Sequence, residues 1–536
     1  RSVERDLIVI RKYQVMMTGE IDHLVRNHLV VLIAQADDGQ PAAEMVAIRG
    51  ERIVWVGSNE DLDDFPTRDT EVVDCRGQTV VPGFIDAHCH IMAYASSLQA
   101  VDCGPSAVTS IDGIKQALKE RAAKTCPGEW VRGVGYNEFA LNERRPPSRH
   151  DLDDAAPHHP VRLNHRSGHA SVLNSAALAR VGISSSTPEP DGGVIQRDWD
   201  TGEPTGLLME MDDHLSKLVP PLSEEEFCRG MAMANERLMA VGITSVQDAT
   251  HSNSTERWDD LRRLKAEGAL SPRVTMMAGS DHLQGFLDRG LGFGSGDGRL
   301  NLGAVKIMLT RTGGALRPSS ENLVEIVSRA HQAGFQVAIH AVEAEAVEAA
   351  VATLIGAPAE RPQVQPSTRD RIEHCSECPP DSLYKLAGSG LVVVTQPGFL
   401  YYNGERYLSE VPGDMRPWLY RIKSFQEAGL NPACSSDAPV IEPSPLVGIY
   451  AAVTRRAESG QTVGGSERVS AREALKMYTL NGAFASRQEA DKGSIKAGKL
   501  ADLVLLDRDP TRVEPDCIPH IKVKMTVIGG QVVWQA

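Results

Sequence analysis

No run of Lys or Arg offsets the net charge of −15, so the chain presents no electrostatic footprint for nucleic acid, and its acid surplus reads as solubility. No apolar run reaches the ~18 residues of a membrane helix. Nine cysteines show no regular spacing, which argues against a disulfide framework. Cys375 and Cys378 make a single C-x-x-C whose second half as a zinc site is missing, so both read as ordinary thiols. Repeats and low-complexity tracts are absent as well. The chain opens on Arg1 rather than Met, which leaves a removed leader open, and the cysteine usage favours the reducing cytoplasm. With nucleic acid and membrane set aside, the expected partner is a small-molecule substrate, and a homo-oligomer stays open.

What is present is ordinary globular composition, 41% hydrophobic and 24% charged. A length of 536 residues exceeds one compact core, so two or three units are expected. Residues 1–27 are mixed in charge without a clear period and read as an N-terminal extension. From His28 the chain turns β-like, with short β-branched runs at His28–Ala34, Glu44–Ile48, Arg52–Gly57 and Glu71–Asp74, which predict a small antiparallel sheet. The C-terminus reads alike at Leu500–Leu506, His520–Val527 and Gln531–Trp534. Two β-rich ends around a different middle predict one sandwich built from 28–80 and 485–536.

The middle, 81–484, alternates strands with amphipathic stretches. Candidate strands are Phe84–His88, Ile243–Ala249, Val274–Ala278, Ala304–Leu309, Phe335–His340, Arg371–His374, Leu391–Gln396 and Pro432–Asp437. Helical patterns fall between them, at Ser223–Ala240, Ser254–Glu267, Ser320–Ala333 and Glu345–Ile355. Eight strands with intervening helices fit an α/β fold of the (β/α)₈ barrel type better than an open doubly wound sheet. More than 150 residues separate the first two strands, which marks 100–235 as an insertion with its own helix near Ile111–Lys124 and strands Trp130–Tyr136 and Pro160–His165.

Chemistry-bearing residues gather at the strand ends. His88 and His90 are two apart after an apolar run, and on an extended strand such a pair projects from one face. Imidazole is a common metal ligand, so the pair is a candidate half-site, although solvated strands carry such pairs too. Cys89, between them, turns the other way. Lys306 stands inside an apolar run, where a charge is costly unless neutralised, paired or snorkelled to water. His340 and His374 each end an apolar run, and each alone fits a hydrogen-bonded core histidine. Asp437 closes the eighth strand before a turn, where a lone Asp is usually a cap. Together, six such residues at the ends of strands one, four, five, six and eight are improbable as coincidence.

In this order the residues resemble the amidohydrolase superfamily, which has His-x-His after strand one, a carboxylated Lys after four, His after five and six, and Asp after eight. Further stretches resemble its amidohydrolase family 3 branch, typified by N-substituted formamide deformylase: Val81–His88, Leu152–Pro157, Pro160-Val161 with Ser167-Gly168-His169 and Asn174-Ser175, Arg371–His374, Ser436–Pro439 and the tail Gly493–Leu503. The likeness spans nearly all of 28–536. Two departures fall where substrate is read. Thr310-Arg311-Thr312-Gly313 stands where relatives often carry Asp-Gly, and Ser167 stands where Asp usually precedes Gly-His.

The resemblance implies one or two divalent metals, Zn²⁺ first. His88, His90 and Asp437 hold one, His340 and His374 the other, and Lys306 bridges them as an N6-carboxylated side chain. Metal-activated hydroxide then hydrolyses a non-peptide C–N bond, with Asp437 as the catalytic proton carrier and an N-substituted formamide as first substrate. Tyr136, His165 and His169 from the insertion are candidates to bind the substrate carbonyl or oxyanion, or are structural residues of the insertion. Two rival readings stand. A deaminase would use Glu343, of His340-Ala341-Val342-Glu343, to protonate a ring nitrogen, although Glu343 also suits the first turn of a helix and Lys306 argues against this reading. A hydantoinase-like scaffold would have lost ligands that this chain keeps.

Overall fold

Strands buried on both faces need apolar residues throughout rather than in alternation. The middle of this chain supplies eight buried segments, most of them such runs. In the computed structural model these segments form one parallel sheet in sequence order: β1 (Phe84–Cys89), β2 (Ile243–Asp248), β3 (Arg273–Gly279), β4 (Leu300–Met308), β5 (Val337–Ala341), β6 (Arg371–His374), β7 (Val392–Thr395) and β8 (Ala433–Cys434). The structure describes residues 7–11, 29–30, 43–57, 70–75 and 78–536, apart from 191, 313 and 357–368. The sheet curls into a nearly closed barrel. Its core joins Ile243, Val274, Val305, Val337, Ile372 and Val393 to the inward faces of the surrounding helices, among them Leu238, Leu261, Val327 and Val351. Each such side chain contributes roughly 1.5–3 kcal/mol when fully buried.

The seam between β1 and β8 is made differently. The Asp437 amide donates to His88 O at 2.9 Å, and the His90 amide to Ala438 O at 2.8 Å. Below them, Asp86 on β1 accepts from Ser436 N at 3.0 Å and Ser436 Oγ at 2.5 Å. Burial raises the Asp86 carboxyl to about 6, against these hydrogen bonds. The eighth strand is therefore shorter than the expected Pro432–Asp437. Ser436 leaves the ladder for a carboxylate, and Asp437 turns to φ 58°, a conformation that Asp and Asn tolerate. The seam that closes the barrel thus runs through three of the candidate metal ligands, His88, His90 and Asp437.

Both chain ends pair in one five-stranded sheet, where Leu503–Leu506 lies between Thr79–Pro82 and Val523–Ile528. A four-stranded sheet holds Arg52–Gly57, Met45–Arg49, Leu7–Arg11 and Thr70–Asp74 in that order. Leu7–Arg11 belongs to the stretch expected as an extension, and it pairs antiparallel with Met45–Arg49 and parallel to Thr70–Asp74. The rest of 1–27, and all of His28–Ala34 except Leu29–Val30, lies outside the described residues. Val46, Ile48, Ile53, Leu503, Leu505 and Val527 form one core between the sheets. Gly83 links this unit to the barrel at a close approach, since a Cβ there would stand 2.1 Å from Thr244 Oγ1.

A lysine in this lower region gives the fold a pH dependence. Lys492 is buried and donates to Ser245 Oγ on β2 at 3.0 Å, and burial lowers its pKa to about 8 against the pull of Asp502. Below pH 8 both states are protonated and the folded state bears the full penalty. Between about 8 and 10.5 the unfolded chain holds the proton more tightly, so stability rises with pH. Denaturation of wild type and Lys492→Met from pH 7.5 to 10.5 is expected to show the steeper rise in wild type, by up to about 1.4 kcal/mol per unit. Parallel curves would remove this assignment.

Candidate metal centre

Five of the eight barrel strands deliver polar side chains to the C-terminal mouth, where barrels place their chemistry. His88 and His90 leave β1, Lys306 projects from β4, His340 from β5 and His374 from β6, with Asp437 in the turn after β8. One donor atom each from His88, His90 and Asp437 lies within 4.8 Å of the others. Asp437 Oδ1 stands 3.0 Å from His90 Nε2 and 3.4 Å from His88 Nε2. Lys306 Nζ lies 3.4 Å from His88 Nε2. Two donors about 2.1 Å from a tetrahedral ion stand roughly 3.4 Å apart. The observed spacings fit such an ion. The His374 ring centroid lies 4.4 Å from that of His340 and 4.7 Å from that of His88, so all six residues form one cluster.

The outer contacts orient this cluster. His88 Nδ1 meets Glu373 Oε2 at 2.5 Å, His90 Nδ1 meets Thr250 Oγ1 at 3.0 Å, and His374 Nδ1 meets Gln396 Oε1 at 2.9 Å. Three imidazoles are thus engaged through Nδ1, which turns Nε2 inward, the arrangement found around histidine-ligated metals. Glu373 is held in turn by Arg371, whose Nε donates to Oε1 at 2.7 Å and whose second terminal nitrogen donates to Oε2 at 3.0 Å and to Ala87 O at 2.8 Å. Arg371 also donates to Gln247 on β2. A charged pair on one face of β6 therefore supports a histidine on β1.

Burial decides the protonation states. It holds His88 and His340 well below the ordinary histidine range, with Lys306 and the neighbouring histidines adding to the effect, so both are neutral donors. Burial lowers Lys306 to about 8, against Glu373 and Asp437. Burial alone would raise Asp437, but the hydrogen bond with His90 and the surrounding histidines keep its carboxyl well below the ordinary range. A neutral amine fraction, neutral imidazoles and an ionised carboxylate together suit a divalent cation.

The insertion brings one of its three candidates to this site. The ring of His169 lies 6.3 Å from that of His340, and its Nδ1 pairs with Glu210 Oε2 at 3.1 Å. Tyr136 is buried with its ring 5.1 Å from that of His165. His165 Nδ1 is engaged with Ser167 Oγ at 2.7 Å, and its Nε2 stands 3.1 Å from Glu138 Oε2, an ion-pair distance without hydrogen-bond geometry. Tyr136 and His165 thus meet each other and the insertion rather than the donor cluster. Sequence reasoning assigned no role to Arg371, Glu373, Thr250, Gln396 or Glu210. Opposite charges two apart on an apolar strand were the one signal available, for Arg371 and Glu373. Glu343 follows β5 with its Oε2 buried and unpartnered among the described residues. The departure at Thr310–Thr312 lies in a small hairpin with Ala315–Arg317, and Gly313 is outside the described residues. Cys89 packs into the barrel core, and Cys375 and Cys378 are free and buried.

A parallel barrel with these donors at its C-terminal mouth defines a metal-dependent hydrolase. The chain belongs to the amidohydrolase family, whose profile matches residues 71–534. It is 32% identical to N-substituted formamide deformylase of Arthrobacter pascens over 93% of this chain and 96% of that protein. It is 29% identical to the putative amidohydrolase YtcJ of Bacillus subtilis over 92% and 96%. An uncharacterized metal-dependent hydrolase from Pyrococcus horikoshii superposes with a TM-score of 0.72 at 23% identity, covering 95% of this chain and 99% of that one, a likeness of fold. The enzyme is thus a hydrolase acting on carbon–nitrogen bonds. Among the described residues, no helix is long and apolar enough to cross a membrane.

Proposed function

We propose that the chain hydrolyses a non-peptide, amide-type C–N bond in a small cytoplasmic molecule, with an N-substituted formamide as the first substrate class. The observation that carries the reading is the convergence of His88, His90 and Asp437, with Lys306 Nζ 3.4 Å from His88 Nε2. His88, His90 and Asp437 hold one divalent cation, Zn²⁺ first, and His340 with His374 holds a second. Lys306 would bridge the two as a carbamate, formed when its neutral amine adds CO₂ and releases a proton to solvent. A divalent cation bound there acidifies water and polarises a carbonyl. Asp437 moves the proton from water to the leaving nitrogen, and His169 faces the substrate, with Tyr136 and His165 as further candidates to bind it. The two sheets, 28–80 with 485–536, brace a barrel of 81–484 into which 100–235 is inserted. The named activity of the Arthrobacter relative supports the formamide.

The unpartnered Oε2 of Glu343 favours one second reading, a deaminase that protonates a ring nitrogen from this position. Lys306 in the donor cluster weighs against it. Metal analysis of the purified protein with an assay panel separates them. About two metals per chain and formate from an N-alkylformamide are expected. One metal, with ammonia released from a heterocycle, would move the reading to the deaminase, and a metal-free inert protein to the scaffold. Lys306→Ala is expected to lose one metal and about a hundredfold or more in turnover. Full metal content and full activity in that variant would end the bridging role.

A further inference from the structure

The tip of the insertion carries a guanidinium that the chemistry above leaves unused. Gly168 N donates to His165 O at 3.1 Å and Gly168 takes φ 78°, which closes a turn with Arg166 and Ser167 at its centre. The other side chains of the turn are engaged, as described, with Glu138, Ser167 and Glu210. Arg166 donates its backbone N–H to Tyr136 O at 3.1 Å. Its guanidinium makes no hydrogen bond or ion pair among the described residues, although the side chain is only partly exposed.

Burial lowers the Arg166 pKa, and the ionisable groups acting on it are Tyr407, Arg406, Tyr402 and Glu458. The first three belong to the helix Gly398–Glu410, which follows β7 at the barrel mouth. Arg406 is occupied by Glu410 at 2.6 Å, and the Tyr407 hydroxyl by that of Tyr420 at 2.7 Å. Glu458 is exposed. The Tyr402 hydroxyl, like Arg166, has no hydrogen-bond partner among the described residues. Two donors without an acceptor thus stand in one neighbourhood. Arg166 is three residues from His169, at most about 11 Å of extended chain, and the His169 ring lies 6.3 Å from that of His340.

We infer that Arg166, with Tyr402 beside it, anchors a carboxylate on the substrate remote from the scissile bond, so that the substrate class is an N-acyl amine, first an N-formyl amine, bearing an acid. The inference rests on the proposed amide hydrolysis at the metal centre. A guanidinium donates to the two oxygens of a carboxylate in a fixed fork, and a partly desolvated cation without a counter-ion is costly until an anion arrives. One unengaged guanidinium matches a monoanion better than a phosphate.

The test uses N-formyl derivatives of ω-amino acids with one to five methylenes, each compared with its neutral primary amide. In wild type the ratio of kcat/KM for acid over amide is expected to reach roughly 10 to 100 at one chain length, the range for hydrogen bonds to a charged group. In Arg166→Gln the ratio is expected to fall to near one, through KM, and in Tyr402→Phe to fall severalfold. A ratio unaltered by Arg166→Gln overturns the anchor. Calorimetric titration of the metal-loaded protein with the corresponding N-acetyl ω-amino acids reads binding without turnover. Arg166-dependent binding supports the anchor even where no formamide is hydrolysed, which would be a failure of the proposed reaction alone. Equal binding by wild type and Arg166→Gln overturns the anchor, as does Arg166-dependent binding of inorganic phosphate without binding of the carboxylates.

Discussion

Asp437→Asn is expected to lower turnover by about three orders of magnitude while leaving the barrel folded, as read by formate release beside circular dichroism and metal analysis. The fold tolerates the change because asparagine accepts the left-handed backbone at φ 58° and leaves the Asp437 amide on His88 O. The chemistry does not. Among the described residues the carboxylate is the one anion at hydrogen-bond distance from His90 Nε2, and it also lies 3.4 Å from His88 Nε2. An amide would present a neutral oxygen, or an N–H, to the same space. Both proposed tasks fail together: charge neutralisation of the cation and transfer of the proton. Asp437→Val would add backbone strain to these losses, so its thermal midpoint should fall further than that of Asp437→Asn. Retention of more than a tenth of wild-type turnover by Asp437→Asn, at full metal content, would remove Asp437 from both roles.

The barrel was legible because most of its strands are buried on both faces and read as apolar runs, so the expected Leu391–Gln396 overshoots the observed Val392–Thr395 by only one residue at each end. The eighth strand misled at its end because a carboxylate 350 residues away, Asp86, captures the amide of Ser436. Periodicity carries no such information. Leu7–Arg11 was invisible for a related reason: five residues without alternation become a strand only against Met45–Arg49 and Thr70–Asp74. The six candidate ligands were found because each stands at or close to the C-terminal end of a strand, and one barrel mouth collects strand ends. Tyr136 and His165 were also at strand ends, but of the insertion's own sheet, and they turn toward each other. Glu373 escaped assignment because its partner is 285 positions upstream, although its own sequence neighbour Arg371 was in plain view.

That distant partnership supports the second large effect. Glu373→Gln is expected to weaken metal binding 10- to 100-fold, measured by competition with a chelator of known affinity. Glu373 lies fully buried and accepts from His88 Nδ1 and twice from Arg371. Glutamine keeps the shape but offers one acceptor in place of two. If its oxygen faces Arg371, its NH₂ meets His88 Nδ1, which must then become the acceptor and carry its proton on Nε2, toward the cation. If its oxygen faces His88, the NH₂ opposes the guanidinium. The first outcome disables a ligand, and both leave the buried Arg371 without its counter-ion, a loss of about 3–5 kcal/mol in stability. The double variant Arg371→Met/Glu373→Gln separates the two losses, since it removes the stranded cation but not the fault at His88. Stability is expected to recover while metal affinity stays low, and the His88 ring nitrogens should report the altered tautomer by NMR. Wild-type metal affinity in Glu373→Gln would show that His88 is oriented by the barrel backbone alone.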